Sequence, residues 1–208
     1  MPTGAEARIR NEGGSFTAVL VNGGTERPVA GTWSATSELL AGRLASRFPR
    51  ICFLEVRYRV KSWKAFESCV ADARAALELI HGPVLIVGFS LGGAVAVSVA
   101  GSDGIVGVLG LAPWLPPEVR FDGLHRGRFD VVHGAWDRAL PGVPGVSPTH
   151  SRAGWERARR LGVDGTYTLI ARGLHGCAVR SPRGGVVRLP RWRAWVEATA
   201  GALERFSG

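Results

Sequence analysis

Between Gly82 and Ser102 the chain carries no charged residue, and the centre of that run reads VLIVGFSLGGAVA over positions 84–96. About 20 predominantly apolar residues are enough to cross a bilayer as a helix. The same residues also suit a buried strand, 83–88, that turns sharply at Gly88-Phe89-Ser90-Leu91-Gly92 into a helix, 90–100. Five glycines interrupt the run, and the β-rich VLIV ends where Gly88 begins the turn. A helix of small residues packs closely on a sheet, and other strands of the same apolar character flank it. The strand-turn-helix reading is preferred, and no membrane span is expected.

The rest of the chain keeps the same rhythm. FTAVLVNGG (16–24), ICFLEVRY (51–58), GIVGVLGLAP (104–113), RFDVVHG (128–134) and GTYTLIA (165–171) read as strands. Between and after them, 34–48, 63–80, 151–162 and 191–206 carry apolar residues at helical spacing. Nearly continuous apolar strands alternating with helices predict an α/β fold: a mostly parallel central sheet, buried on both faces by helices, with right-handed crossovers. Neither an internal repeat nor a convincing linker divides the 208 residues, so a single domain, 1–208, is expected.

The formal charge of +9 raises the question of nucleic acid. All but two of the 26 basic residues are arginine, spread along the whole chain with modest clusters at 57–61 and 157–160. No RNA-binding signature, zinc-finger spacing or basic-aromatic repeat accompanies them, so no nucleic-acid partner is expected. The N-terminal residues lack a continuous apolar core behind a basic start, which argues against a secretory signal. Three cysteines are too few for a disulfide framework; reduced thiols and a cytoplasmic setting are the simpler reading. Cys177 reads as a small apolar packing residue.

Gly88-x-Ser90-x-Gly92 matches a nucleophile elbow, in which a serine at a tight strand-to-helix turn projects its hydroxyl while glycines on either side avoid collisions. In so glycine-rich a chain, composition alone gives about 0.25 chance matches, so the context carries the assignment. A serine nucleophile needs a base and a group that orients it. Asp137 lies three residues beyond the glycine ending one later strand, and His175 lies just beyond the next strand. The order Ser90, Asp137, His175 suits this architecture. The rivals fit less well: Asp130 sits inside a strand pattern, Asp164 precedes a strand, and His133 is within or at the end of one. His125 and His150 read as solvated loop residues, and His81 as the close of a helix. For the oxyanion, the Leu91 N–H at the helix start is one donor. Gly24, in the glycine turn after the first of these strands, is the preferred second donor, with Thr25 next.

On these residues the chain resembles the α/β-hydrolases. Gly88-Phe89-Ser90-Leu91-Gly92-Gly93 is similar to the family's elbow, HGAWDRALP (133–141) to its acid turn, and Gly173-Leu174-His175 to its histidine loop. Two departures stand out. Asn22-Gly23 replaces the His-Gly of many members, and about 15 residues before the first such strand leave little room for the usual N-terminal β-hairpin. The short 113–127 connection implies a form with no cap domain. The resemblance implies a serine hydrolase cleaving esters or thioesters of small or medium acyl groups. Ser90, Asp137 and His175 would be its catalytic residues, with Gly24 and Leu91 at the oxyanion. No metal or organic cofactor is implied. A non-catalytic scaffold or binding protein that retains the fold is the alternative.

Overall fold

The computed structural model describes residues 1–124, 127–138 and 145–207. His125 and the end of the 133–141 stretch therefore lie outside the described residues. The strands are β1 (Glu6–Arg10), β2 (Phe16–Val21), β3 (Val29–Ala30), β4 (Ile51–Arg57), β5 (Val60–Lys61), β6 (Val84–Phe89), β7 (Ile105–Leu111), β8 (Arg128–Gly134), β9 (Tyr167–Ile170), β10 (Ala178–Arg180) and β11 (Val186–Arg188). The α-helices are α1 (Ala35–Leu44), α2 (Phe66–Leu77), α3 (Leu91–Val99), α4 (Pro148–Arg160) and α5 (Trp192–Ser207).

Seven strands form the central sheet in the order β1-β4-β2-β6-β7-β8-β9, and every pairing in it is parallel except β1 with β4. The run that opened the sequence question is split between β6 and α3, and no helix of the described residues is long and apolar enough to cross a membrane. Successive side chains of a strand face opposite sides. Val19 and Val21 of β2 and Ile86 of β6 accordingly join Val70 of α2, Val95 of α3 and Ala158 of α4 in one core. Ala18, Leu20, Leu85 and Val87 join Leu40 and Leu44 of α1 and Trp195 and Leu203 of α5 in the other. Burial on both faces explains why these strands read as unbroken apolar runs.

Several boundaries differ from the sequence expectation for local reasons. Helix α4 begins at Pro148 rather than 151, because Ser147 accepts a hydrogen bond from the His150 N–H as an N-cap and proline is tolerated in the first turn. His150 is thus helical rather than a solvated loop residue, and its Nε2 accepts from the Leu115 N–H at 3.1 Å. Burial, then the charges of Arg157 and His133, push its pKa down. Helix α2 stops at Leu77, which leaves His81 in the connection to β6 instead of at the helix end. The residues before β2 supply a strand after all: β1 pairs antiparallel with β4, and Arg8 bridges Glu38 and the buried Glu55. The β10–β11 hairpin has no counterpart in the sequence expectation, its strands being only three residues long.

Candidate active site

Ser90, Asp137 and His175 follow β6, β8 and β9, at the carboxyl ends of parallel strands where open α/β sheets collect ligands. At Ser90 the backbone has φ 54° and ψ −117°, which a side chain adopts only under strain. Its N–H donates to the Leu111 carbonyl at 3.0 Å, and its carbonyl accepts from Trp114 at 2.8 Å and Gly93 at 2.9 Å. The flanking glycines leave no room for substitution. A Cβ on Gly88 would lie 2.2 Å from the Gly92 carbonyl oxygen, and one on Gly92 2.5 Å from that of Val21. The elbow is held between β2, β7 and its own helix.

The turn after β8 and the loop after β9 are joined backbone to backbone. Ala135 donates to Ile170 at 2.9 Å and Trp136 to Gly173 at 2.8 Å. Gly134 permits this approach, since a Cβ there would meet the Leu174 carbonyl oxygen at 2.3 Å. Across this seam His175 Nδ1 and Asp137 Oδ2 are 2.6 Å apart. With Nδ1 turned to a carboxylate acceptor, the imidazole carries its proton there and leaves Nε2 free. The ring packs against Phe89, the residue before Ser90, with centroids 4.9 Å apart. No hydrogen bond joins Ser90 to His175 among the described residues.

Asp137 is fully buried and has three donors. Oδ2 also meets His133 Nε2 at 2.9 Å, and Oδ1 accepts from the Val146 N–H at 3.2 Å. Burial pushes its pKa up, but the hydrogen bonds from His133 and His175 outweigh that and hold it below the ordinary carboxylate value. The stabilisation from a lowered native pKa is complete above the unfolded value of about 3.9 and is lost as pH falls through the native one. The stability gap between wild type and Asp137→Asn, read from denaturant midpoints, is therefore expected to narrow as pH falls below about 4.

His133, a rejected rival for the base, is the residue the sequence reading passed over. It is fully buried in β8, and its Nδ1 lies 2.6 Å from Ser151 Oγ, so Ser151, His133 and Asp137 form a hydrogen-bonded run that shares the Asp137 carboxylate with His175. It has no way to meet a substrate, because Ser151 is fully buried and its hydroxyl is occupied by Tyr167 Oη at 2.8 Å and the Pro148 carbonyl at 3.2 Å. A histidine inside an otherwise apolar strand was the available signal, since a buried imidazole needs partners. Asp130 and Asp164 are accounted for by Arg128, Arg205 and Arg159.

Gly24, Trp63, Ser90, Leu91, Trp114, Gly145 and Val146 line a cavity of about 170 Å³. The Gly23 N–H is engaged by Asn22 Oδ1 at 2.6 Å, and the Asn22 amide is in turn anchored to the Thr32 carbonyl at 2.7 Å. Thr25 Oγ1 bonds Arg27 and Lys61 carbonyls. Cys177, two residues beyond His175, is buried, and burial raises its thiol to about 12. Iodoacetamide at neutral pH is therefore expected to leave Cys177 unalkylated in the folded protein, as peptide mapping would show.

No protein-family model matches the chain, and no curated protein sequence does. Solved structures do resemble it. A sugar hydrolase from Lactococcus lactis is 18% identical with a TM-score of 0.69, over 96% of this chain and 94% of that one. A monoacylglycerol lipase from Paleococcus ferrophilus is 15% identical with a TM-score of 0.66, over 96% and 98%. A serine hydrolase without a lid from Xanthomonas campestris is 16% identical with a TM-score of 0.57, over 82% and 79%.

Proposed function

We propose that this chain, which has the α/β-hydrolase fold with no cap domain among its described residues, is a serine hydrolase acting on esters or thioesters of small or medium acyl groups. The observation that carries the reading is the 2.6 Å Asp137–His175 bond, which leaves Nε2 free at the strand ends that also present the strained Ser90. Esterases and lipases among proteins of the same fold add to it.

In this mechanism His175 Nε2 takes the Ser90 proton as Oγ attacks the carbonyl carbon, and Asp137 stabilises the imidazolium. The N–H groups of Leu91, at the start of α3, and of Gly24 bind the oxyanion. Collapse breaks the bond to the leaving alcohol or thiol, which takes the proton from His175. Water, deprotonated by the same nitrogen, then cleaves the acyl-serine.

A fluorophosphonate probe tests this. We expect one label, mapped to Ser90 and lost in Ser90→Ala. A folded wild-type protein that stays unlabelled would overturn the hydrolase reading in favour of a non-catalytic binding protein, and a label on Ser151 would reassign the nucleophile. Acyl size has its own test. Trp114 lines both the 170 Å³ cavity at Ser90 and a neighbouring cavity of about 590 Å³ bounded by Phe66, Val97 and Val119. Trp114→Ala is expected to move the preferred p-nitrophenyl ester to longer chains, raising kcat/KM for octanoate over acetate by about tenfold or more, since a few buried methylenes contribute about 0.8 kcal/mol each.

A further inference from the structure

Beyond the three proposed catalytic residues, the acid has a buried support whose geometry is specific. His133 Nε2 lies 2.9 Å from Asp137 Oδ2 and 2.9 Å from the Val146 carbonyl oxygen. Both neighbours are acceptors, so this nitrogen carries a proton. On the other side of the ring, Nδ1 faces Ser151 Oγ at 2.6 Å. Tyr167 Oη, 2.8 Å from Ser151 Oγ and donating to the Pro148 carbonyl at 3.0 Å, closes the chain. Arg152 lies over the Tyr167 ring at 4.1 Å. Each side-chain nitrogen and oxygen of this run has a hydrogen-bond partner.

The consequence concerns the direction in which Asp137 points. A carboxylate held only by His175 is free to turn about its own axis. Here Val146 occupies Oδ1 and His133 one side of Oδ2, and the orientation that satisfies both presents Oδ2 to His175 Nδ1. The elements involved differ: His133 comes from β8, Ser151 from α4 and Tyr167 from β9. The support thus ties the turn after β8 to α4 and to β9.

We propose that His133, locked by Ser151 and Tyr167, is a positioning residue that aims the Asp137 carboxylate at His175. The kinetic part of this proposal rests on the hydrolase reading above. The spectroscopic part does not.

The test uses the full chain and three variants, His133→Leu, His133→Gln and Ser151→Ala, each checked for folding by circular dichroism. The low-field NMR resonance of the His175 Nδ1 proton, assigned by its loss in His175→Ala, reads the Asp137–His175 bond directly. It is expected to be sharp in the wild type and lost or broadened in His133→Leu. For p-nitrophenyl acetate hydrolysis, His133→Leu should lower kcat about 10- to 100-fold with KM within a few-fold, by analogy with the loss of the hydrogen-bond partner behind a metal-ligating side chain. His133→Gln, whose amide keeps a donor near the Nε2 position, should recover most of the loss. Ser151→Ala should lower kcat several-fold and serves if His133→Leu does not fold. A folded His133→Leu or Ser151→Ala protein with wild-type kcat and an unmoved resonance would overturn the proposal. So would a loss that His133→Gln does not rescue. A wild type that neither labels nor turns over defeats the hydrolase reading, while the resonance still decides whether His133 holds the acid.

Discussion

Ser90→Ala is expected to lower kcat for ester hydrolysis by about a million-fold, to a residue of activity set by the oxyanion donors and binding alone. The size follows from the mechanism: without Oγ no acyl-enzyme forms, and His175 and Asp137 have no proton to transfer. The folded state should survive the change. At Ser90 the backbone is strained, and the loss of one hydroxyl removes none of the backbone bonds to Leu111, Gly93 and Trp114 that hold the elbow. Binding of substrate, read as KM, is therefore expected to change little. Ser151→Ala is the informative control, because Ser151 is hydrogen-bonded to a histidine that is itself bonded to Asp137. It should retain fluorophosphonate labelling at Ser90. If Ser90→Ala keeps kcat within tenfold of the wild type, Ser90 is not the nucleophile.

Gly88→Ala is expected to cost about 3 kcal/mol or more of folding stability, toward the large end of single substitutions. The added methyl would sit 2.2 Å from the Gly92 carbonyl oxygen and 2.5 Å from its carbon. These are backbone atoms, and no rotamer change relieves the overlap. The elbow would have to open, and with it the register of β6 with β2 and β7, in which Gly88 pairs with Val21 and Gly110. For a chain of this length the cost corresponds to a fall in melting temperature of roughly 6–12 °C. Gly42→Ala is the matched comparison: it lies in α1 with nothing within 4 Å of an added Cβ, so it should be neutral or mildly stabilising through helix propensity. Thermal unfolding of the two variants side by side separates the collision from the general effect of replacing glycine.

The sequence was readable where burial dictates residue type. Strands covered on both faces must be apolar throughout, so β2, β4, β6, β7 and β8 stand out as runs. The sharp turn at Ser90 has to place glycines two positions either side. Elements built from little burial were harder to read. Strand β1 alternates charged with apolar residues and is only five residues long; it exists because β4 offers it an edge and Glu55 an ion pair. The N-cap at Ser147, four residues before the helix expected at 151, shifted the start of α4.

The site divides along the same line. Ser90, Asp137 and His175 were legible because each follows a strand end, and chain order together with parallel pairing brings strand ends to one edge. His133 was not legible as a partner of Asp137. Nothing in a one-dimensional pattern says that a strand residue, a residue of the following turn, Ser151 of a helix and Tyr167 of the next strand close into one buried hydrogen-bonded run. By itself the sequence determined the layered α/β architecture, the strained turn at Ser90 and the chain order in which Ser90, Asp137 and His175 follow strand ends, because burial and turn sterics act on neighbouring residues. Only the tertiary structure decided that Ser151 is buried while Ser90 stays partly accessible, and how the Asp137 carboxylate is held between His133 and His175. Those outcomes depend on contacts between residues far apart in the chain, whose distances and solvent access no local pattern encodes.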